Sequence, residues 1–382
     1  MNKHNIGNIA IIGGGPGGLM LGLLLQQQGF NYTIFEKAHE NINRKRGGSL
    51  DIHEESGQIP LKVAGIYDKF RDLARYEGED TRILDKKGTV YLDEDAEGEG
   101  ERPEIDRDEL CDIILEQIKP KHIKYGYAFQ ELKQLSNGQV DVKFTNGESE
   151  RFDLVIGSDG AFSKVRPYLT NEDIQYSGIS MIELNVENVE NVYPDLYDFN
   201  KKGKVMALGD DQAILAQLNG DGHIKVYVSY VMDENTLDDY KELSQPELKQ
   251  KLKDDFKDWD LALQKYIDYA NDEVLFRRIY MLPIGLEWNN NSSITLIGDA
   301  AHLMSPFAGE GVNMALYDAY LFSETIKNNN DVEVALKNYE REMYKLSKKS
   351  AEESQANLNR MFSKNAAKNL GDLFLQFLET EK

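Results

Sequence analysis

Ile9-Ala10-Ile11-Ile12-Gly13-Gly14-Gly15-Pro16-Gly17-Gly18-Leu19 is the stretch on which the fold turns. Ile9 to Ile12 reads as a buried strand, Gly13, Gly15 and Gly18 keep a G-x-G-x-x-G spacing, and Leu19 to Gln28 has the apolar density of a helix packed on a sheet. Each glycine has a physical reason. The first permits a tight turn, the second lets the backbone approach a pyrophosphate, and the third brings helix and strand together, so that the helix N-terminus offers free N–H groups and partial positive charge to an anion. The strand-like run Tyr32-Thr33-Ile34-Phe35 ends at Glu36, 36 − 18 = 18 residues past the last glycine, with Lys37 next to it. A carboxylate there accepts hydrogen bonds from an adenosine ribose and disfavours a 2′-phosphate. Glycines and a proline within Ile9 to Leu25 are poor material for a membrane span, and Lys3 is a thin charged leader for a signal peptide.

Two more turns follow short apolar runs. Asp153-Leu154-Val155-Ile156-Gly157-Ser158-Asp159-Gly160 leads into a helix expected to open with Ser163, a layout that suits contacts from Asp159 to a dinucleotide. Ile294-Thr295-Leu296-Ile297 runs into Gly298-Asp299-Ala300-Ala301-His302, then Pro306-Phe307-Ala308-Gly309-Glu310-Gly311-Val312-Asn313. Asp299 is placed to bind a ribityl hydroxyl, and a helix from about Gly311 aims its positive end at an anion such as a reduced flavin ring. A cradle at one end of the chain and a second turn near the other suggest one extended cofactor, FAD, with NADP excluded from the cradle by Glu36. Cys111 reads as a small buried hydrophobe, and His302 and His53 as structural hydrogen-bonding residues.

On these residues the chain resembles the class A flavoprotein monooxygenases, the aromatic hydroxylase group. Within that group it is more similar to the tetracycline-inactivating members, through Arg44-Lys45-Arg46-Gly47-Gly48-Ser49-Leu50-Asp51-Ile52-His53, Ile105-Asp106-Arg107-Asp108 and Gly298 to Asn313. The resemblance implies a Rossmann-like α/β FAD domain of the glutathione-reductase type and an antiparallel-sheet substrate domain. It implies FAD contacts from Arg46, Asp51, Arg107, Asp159, Asp299, Pro306, Gly311, Val312 and Asn313, besides Gly13, Gly15, Gly18, Glu36 and Lys37. Arg44, with Arg46 as its alternative, is implied for the NADPH phosphates. Glu183, Lys204 and Lys225 stand where the tetracycline-inactivating enzymes have Gln, Arg and His to grip the drug, while Pro306, Phe307 and Met361 are retained on the pocket side. Two departures stand out: those exchanges alter charge and fork geometry, and Gly309-Glu310-Gly311 replaces the family's Gly-Gln-Gly, adding a carboxylate near the ring.

The flavin domain is expected at 1–170 and 281–330, with a helix at Arg107 to Gln117 and a hairpin turning at Asn146-Gly147. Period-two alternation in Met181 to Val186, Ala213 to Leu218 and Ile224 to Val231 predicts an antiparallel substrate sheet at 171–280, interrupted by a helix at Gln245 to Phe256. Residues 331–382 are expected to form a C-terminal helix bracing both. The acidic run from Asp93 to Glu104 reads as an exposed, solvated loop. A formal net charge of −22 disfavours nucleic acid or an anionic membrane as partner. A cytoplasmic monomer without metal is expected.

No Ser/His/Asp triad or metal cluster stands out, which fits a flavin that supplies its own electrophile, a hydroperoxide formed with oxygen. The leading expectation is an NADPH-consuming, FAD-dependent monooxygenase that hydroxylates a planar phenolic or polyketide-like small molecule, with tetracycline among the candidates. Two alternatives share the cofactor: a flavin dehydrogenase or reductase that never activates oxygen, and a flavin sensor without turnover.

Overall fold

The computed structural model describes residues 7–40, 48–95 and 100–380. A five-stranded sheet runs in the order Ile294–Leu296, Leu154–Gly157, Asn8–Ile12, Asn31–Glu36, Ile123–Tyr125, and every neighbouring pair is parallel. Strands of a parallel sheet are covered on both faces, which is why they read as unbroken apolar runs. The helix Pro16–Gln28, buried on all sides from Pro16 to Leu25, packs on this sheet with the helix Glu310–Asn328. A three-stranded antiparallel sheet, Phe129–Gln134, Val140–Phe144 and Ser149–Phe152, stacks Phe144 on Phe35 with ring centroids 4.4 Å apart. Its hairpin turns at Asn146-Gly147 as expected, with Asn146 Oδ1 accepting the Glu148 N–H.

The larger sheet has seven strands in the order Leu275–Met281, Gln175–Val186, Ile224–Val231, Gln212–Leu218, Lys204–Leu208, Thr81–Asp85, Val90–Glu94. It is antiparallel except where Lys204–Leu208 meets Thr81–Asp85. One face, carrying Ile182, Leu184, Ile214, Val226 and Val228, is covered by the helices Thr236–Lys241, Gln245–Asp255 and Leu261–Asp268. The other face turns toward the first sheet.

Two boundaries differ from the sequence reading. The larger sheet is not confined to 171–280, because the hairpin Thr81–Glu94 supplies its edge; its charged, short strands carry little alternation to mark them. The acidic run is not wholly solvated either. Asp93 pairs with Arg82 and Lys201 (3.0 and 2.7 Å), and Glu104 is buried on the short strand Glu104–Asp106. At the C-terminus, two helices replace the single one expected. Val332–Met361 is capped by Asp331, sinks Leu336, Tyr339 and Met343 into the first core, and ends with Met361 against Leu208 and Ala213. Asn365 then adopts a left-handed conformation (φ 58°), and Ala366–Thr380 packs Ala366, Ala367 and Leu370 against Ile83 and Leu92. Among the described residues no helix is long and apolar enough to cross a membrane.

Candidate functional site

The three signature turns converge at the C-terminal edge of the parallel sheet, where ligands of open α/β sheets bind. Gly13 has φ 114°, and a Cβ there would stand 2.2 Å from Ser158 O, so the first and second turns touch through a position only glycine can fill. Gly17 and Gly298 both abut Ala315 of the helix Glu310–Asn328, which joins the first turn to the third. Arg166 completes the clamp: from the second turn its guanidinium donates to Ala300 O at 3.2 Å and Ala161 O at 2.9 Å. Sequence reading passed over Arg166, since nothing in its neighbours signals that a buried Arg would bind carbonyls of a turn so far along the chain.

Glu36 closes the cradle. Its carboxylate accepts the Gly14 N–H at 2.8 Å and the Ala38 N–H at 2.9 Å, and Lys37 beside it is exposed. Two accepted bonds leave lone pairs for a ribose. Gly15 lies open, and the nearest atom to a Cβ built there is Arg107 Nη2 at 4.0 Å. The exposed Arg107 guanidinium makes no ion pair or hydrogen bond with a described residue. Helix N–H groups, an open glycine and a free guanidinium are the donors that a diphosphate calls for.

Asp159, expected to contact the dinucleotide, is engaged by its own loop. Its oxygens accept Ser163 Oγ–H at 2.5 Å and the N–H groups of Lys164 and Val165 at 2.7 and 3.3 Å, so the carboxylate holds its own loop. The helix expected at Ser163 is absent; only a short 3₁₀ turn, Arg166–Tyr168, follows, with Ser163 Oγ accepting the Arg166 N–H. Arg166-Pro167 explains the stop, because proline cannot extend the hydrogen-bonded ladder.

Asp299 sits at the other end of the cradle, 3.8 Å from a Cβ built on Gly311, and its carboxylate accepts no hydrogen bond from a described residue. Burial pushes its pKa up, against the charges of His302, Arg107 and Arg166. His302 is structural, as expected: Nε2 lies 2.7 Å from Asp318 Oδ2, which also accepts the Gly298 N–H at 2.8 Å. Beyond it, the loop carrying Pro306 and Phe307 is pinned to the long C-terminal helix by Ser354 Oγ–H to Ser305 O (2.7 Å) and Asn357 Nδ2–H to Phe307 O (3.1 Å).

Asp51, Glu310, Gly311, Val312 and Asn313 gather at the N-terminus of Glu310–Asn328. Asn313 Nδ2 donates to Asp51 O and Gly309 O at 2.9 and 3.0 Å, and a Cβ on Gly309 would meet Asp51 Oδ2 at 2.8 Å. Burial would raise the Asp51 carboxyl, but the hydrogen bond from His53 and the Lys204 charge outweigh it and hold the pKa below its usual value. Arg44 and Arg46 lie outside the described residues.

The larger sheet presents two rows of side chains to this region. One runs Asn185, Lys225, Gln217, Lys204 and the next Glu183, Tyr227, Leu215, Met206, each residue opposite the next in register. Tyr227, Leu215 and Phe307 pack on one cluster, Ile179, Met181 and Leu358, and Phe307 meets Phe362 edge-on at 5.7 Å. Both lysines are already engaged: Lys225 lies 3.4 Å from Glu183, which Arg277 also grips at 2.6 Å, and Lys204 lies 3.7 Å from Glu104. Met361 is buried on this same face, against Leu208 and Ala213. Asn185 and Gln217 were missed in the sequence because register alone brings them beside Lys225, and Phe362 because only the packing of the long C-terminal helix brings it beside Phe307. A groove of about 280 Å³ lined by Asn8, Thr33 and Arg151 lies at the opposite end of the parallel strands and lacks these donors.

The cradle fits FAD on its own geometry: a turn closed to any Cβ, a free guanidinium at the diphosphate position, and an unpartnered carboxylate at Asp299. Comparison with known proteins agrees. The chain is 29% identical over 435 residues to Monooxygenase asqM of Emericella nidulans, covering 96% of this chain and 97% of that protein. Among solved structures, Klebsiella pneumoniae HpxO complexed with FAD and uric acid superposes with TM-score 0.80 at 19% identity, covering 96% and 92% of the two chains. The tetracycline destructase Tet(55) superposes with TM-score 0.73 at 21% identity, covering 98% and 96%. Residues 7–354 match the FAD binding domain family, and the chain belongs to it, as a class A flavoprotein monooxygenase that depends on FAD.

Proposed function

We propose that this monooxygenase takes electrons from NADPH and oxygen from O2 to hydroxylate a planar phenolic or polyketide-like small molecule, with tetracyclines in the candidate class. The observation that carries the reading is the pair of rows on the larger sheet. A polar row (Asn185, Lys225, Gln217, Lys204) beside a largely apolar one (Tyr227, Leu215, Met206) suits a flat molecule with oxygens along one edge. Phe307 and Phe362 supply an aromatic wall for its face. Similarity to a tetracycline destructase favours tetracyclines, whereas the pairing of Lys204 and Lys225 with Glu104 and Glu183 favours a substrate recognised by hydrogen bonds instead of by its charge.

When bound and reduced, FAD supplies the oxygen-activating chemistry. The chain's own residues do the rest. Gly13, Gly15, Gly18 and Arg107 hold the diphosphate, Glu36 the ribose and Asp299 the ribityl chain. Pro306, Gly311, Val312 and Asn313 form the wall at the ring, with Asp51 beside it, and Arg46 is carried over as an FAD contact from the family resemblance alone. Glu183, Lys204 and Lys225 orient the substrate, and Phe307 and Met361 keep water from it. Asp159 contributes by shaping its loop.

Arg44 is assigned to the NADPH phosphates, so Arg44→Ala raises the NADPH requirement while FAD stays bound. The flavin unit comprises 1–170 and 281–330 less the hairpin Thr81–Glu94, which joins the substrate unit of 171–280. The two C-terminal helices brace both. A monomer working in the cytoplasm completes the reading. The decisive experiment follows NADPH oxidation and O2 uptake with a panel of planar phenols, polyketides and tetracyclines, and looks by mass spectrometry for a product heavier by one oxygen atom. Absence of substrate-stimulated oxygen uptake across the panel would overturn the substrate class.

A further inference from the structure

At the N-terminus of the helix Glu310–Asn328, the functional reading uses Asp51 and leaves two ionisable side chains without a role. His53 is completely buried, with Nε2 3.3 Å from Asp51 Oδ2 and Nδ1 3.3 Å from Glu310 Oε1. Its backbone N–H donates to Asn313 Oδ1 at 3.0 Å, so the strand end carrying Asp51 and His53 is tied to the first turn of the helix. A carboxylate faces each ring nitrogen, and only the imidazolium has an N–H for both. Burial would lower the His53 pKa, but the hydrogen bond to Asp51 and the Glu310 carboxylate 3.3 Å from Nδ1 outweigh it and push it up to about 9.

The charge balance is local. Asp51 and Glu310 bring two negative charges and His53 one positive, beside a helix end equivalent to roughly half a positive charge. Arg102 and Glu55 face His53 from the neighbouring segments, and Lys204 faces Asp51 from the larger sheet. Glu310 is thus no lone negative charge at the ring end of the site.

We propose that His53 and Glu310 work as one unit, a buried imidazolium and a half-buried carboxylate that fix the charge beside the flavin ring and set how readily the bound flavin is reduced. The inference rests on the reading that places the ring at this helix terminus. Uptake of two electrons and one proton leaves the ring with one negative charge, so every fixed charge nearby shifts the equilibrium. Both residues are positioning residues: they act through the field and through Asp51.

The test measures the two-electron midpoint potential of the purified holoprotein and of Glu310→Gln, His53→Gln and the double variant, by equilibration with reference dyes between pH 6 and 9. Removing Glu310 takes away one negative charge, leaves His53 balanced by Asp51, and should favour reduction at least tenfold, about 30 mV upward. Removing His53 leaves two carboxylates and should disfavour it by a similar factor. The double variant restores the wild-type charge sum and should return to within a few-fold of wild type. A dependence on pH that appears as His53 titrates should be absent from His53→Gln. A merely structural role for the pair predicts lower melting temperatures without opposite, cancelling potential shifts. Thermal midpoints of the apoproteins check folding, and Glu310→Gln, which keeps its shape, carries the test alone should His53→Gln not fold. Yellow variants whose reduction constants stay within threefold of wild type would overturn this inference alone. Wild-type protein that takes up no FAD would overturn the cofactor site with it.

Discussion

Asp318→Ala should unfasten the third signature turn. Asp318 is fully buried, and a single oxygen, Oδ2, accepts the Gly298 N–H at 2.8 Å and faces His302 Nε2 at 2.7 Å. Burial would lower the His302 pKa, but the Asp318 charge and hydrogen bond, with the charge of Asp299, outweigh it and raise the value. Truncation leaves a buried imidazole without its counter-charge and a buried N–H without an acceptor. Breaking a buried pair from one side costs about 3–5 kcal/mol. At roughly 2 °C per kcal/mol for a chain of this size, the melting temperature should fall by about 6–10 °C. Differential scanning fluorimetry of apo and FAD-loaded protein reads this directly. Because Gly298 to His302 carries Asp299, FAD should also dissociate more readily. The sign with pH is a further check. A histidine with a raised folded pKa contributes stability that is complete below its unfolded value, about 6.5, and fades as pH rises through the folded value. The cost of Asp318→Ala should therefore be largest near pH 6 and shrink at alkaline pH. A fall of less than about 2 °C at pH 6 would refute the argument, since it would mean that the pair contributes no more than an exposed one.

Gly13→Ala should abolish FAD retention, measured by flavin absorbance after desalting, because its Cβ would stand 2.2 Å from Ser158 O at a φ of 114°; a yellow variant would mean that the two turns do not meet there. Glu36→Ala removes a charged acceptor, and at about 1.5–3 kcal/mol for such a hydrogen bond FAD should bind on the order of 10- to 100-fold more weakly by titration calorimetry. His53, raised to about 9, contributes stability that is complete below about pH 6.5 and lost as pH climbs through 9. Wild type should therefore melt progressively lower across that window, and His53→Gln should show a flatter profile.

The parallel half of the fold was legible because its signals are local. Strand, glycine turn and helix follow one another within Asn8 to Gln28, and the period-two strands Gln175–Val186 and Ile224–Val231 name their own sheet. What escaped was what long-range pairing decides. Thr81–Asp85 joins the larger sheet by a parallel pairing with Lys204–Leu208, more than a hundred residues later, and no periodicity within TRILD can disclose that partner. Asp159 is legible as a turn former, but that Ser163, Lys164 and Val165 share its oxygens is decided by the loop's path and not by any local signal. Arg166 and Asp318, which clamp the turns, look in sequence like an ordinary cation and an ordinary helix acid.

Glu310 shows why a charge counted along a chain differs from a charge in space. Read in Gly309-Glu310-Gly311, it is an extra anion set where a reduced ring must also be negative, a conflict that would argue against turnover. In the fold, a fully buried His53, more than 250 residues away in sequence, meets it across 3.3 Å. The same rule holds on the larger sheet, where Lys204 and Lys225 stand in sequence at positions expected to grip a substrate but lie beside Glu104 and Glu183. A cation already beside a buried carboxylate gains little from a second one, since its Coulomb attraction is largely used and the new partner must still shed its water. The neutral side chains next to the lysines in register are Asn185, whose Oδ1 has no hydrogen-bond partner among the described residues, and Gln217, whose Nε2 donates to Leu218 O at 3.4 Å, so the proposed substrate class is one that offers hydrogen-bonding groups and not charge.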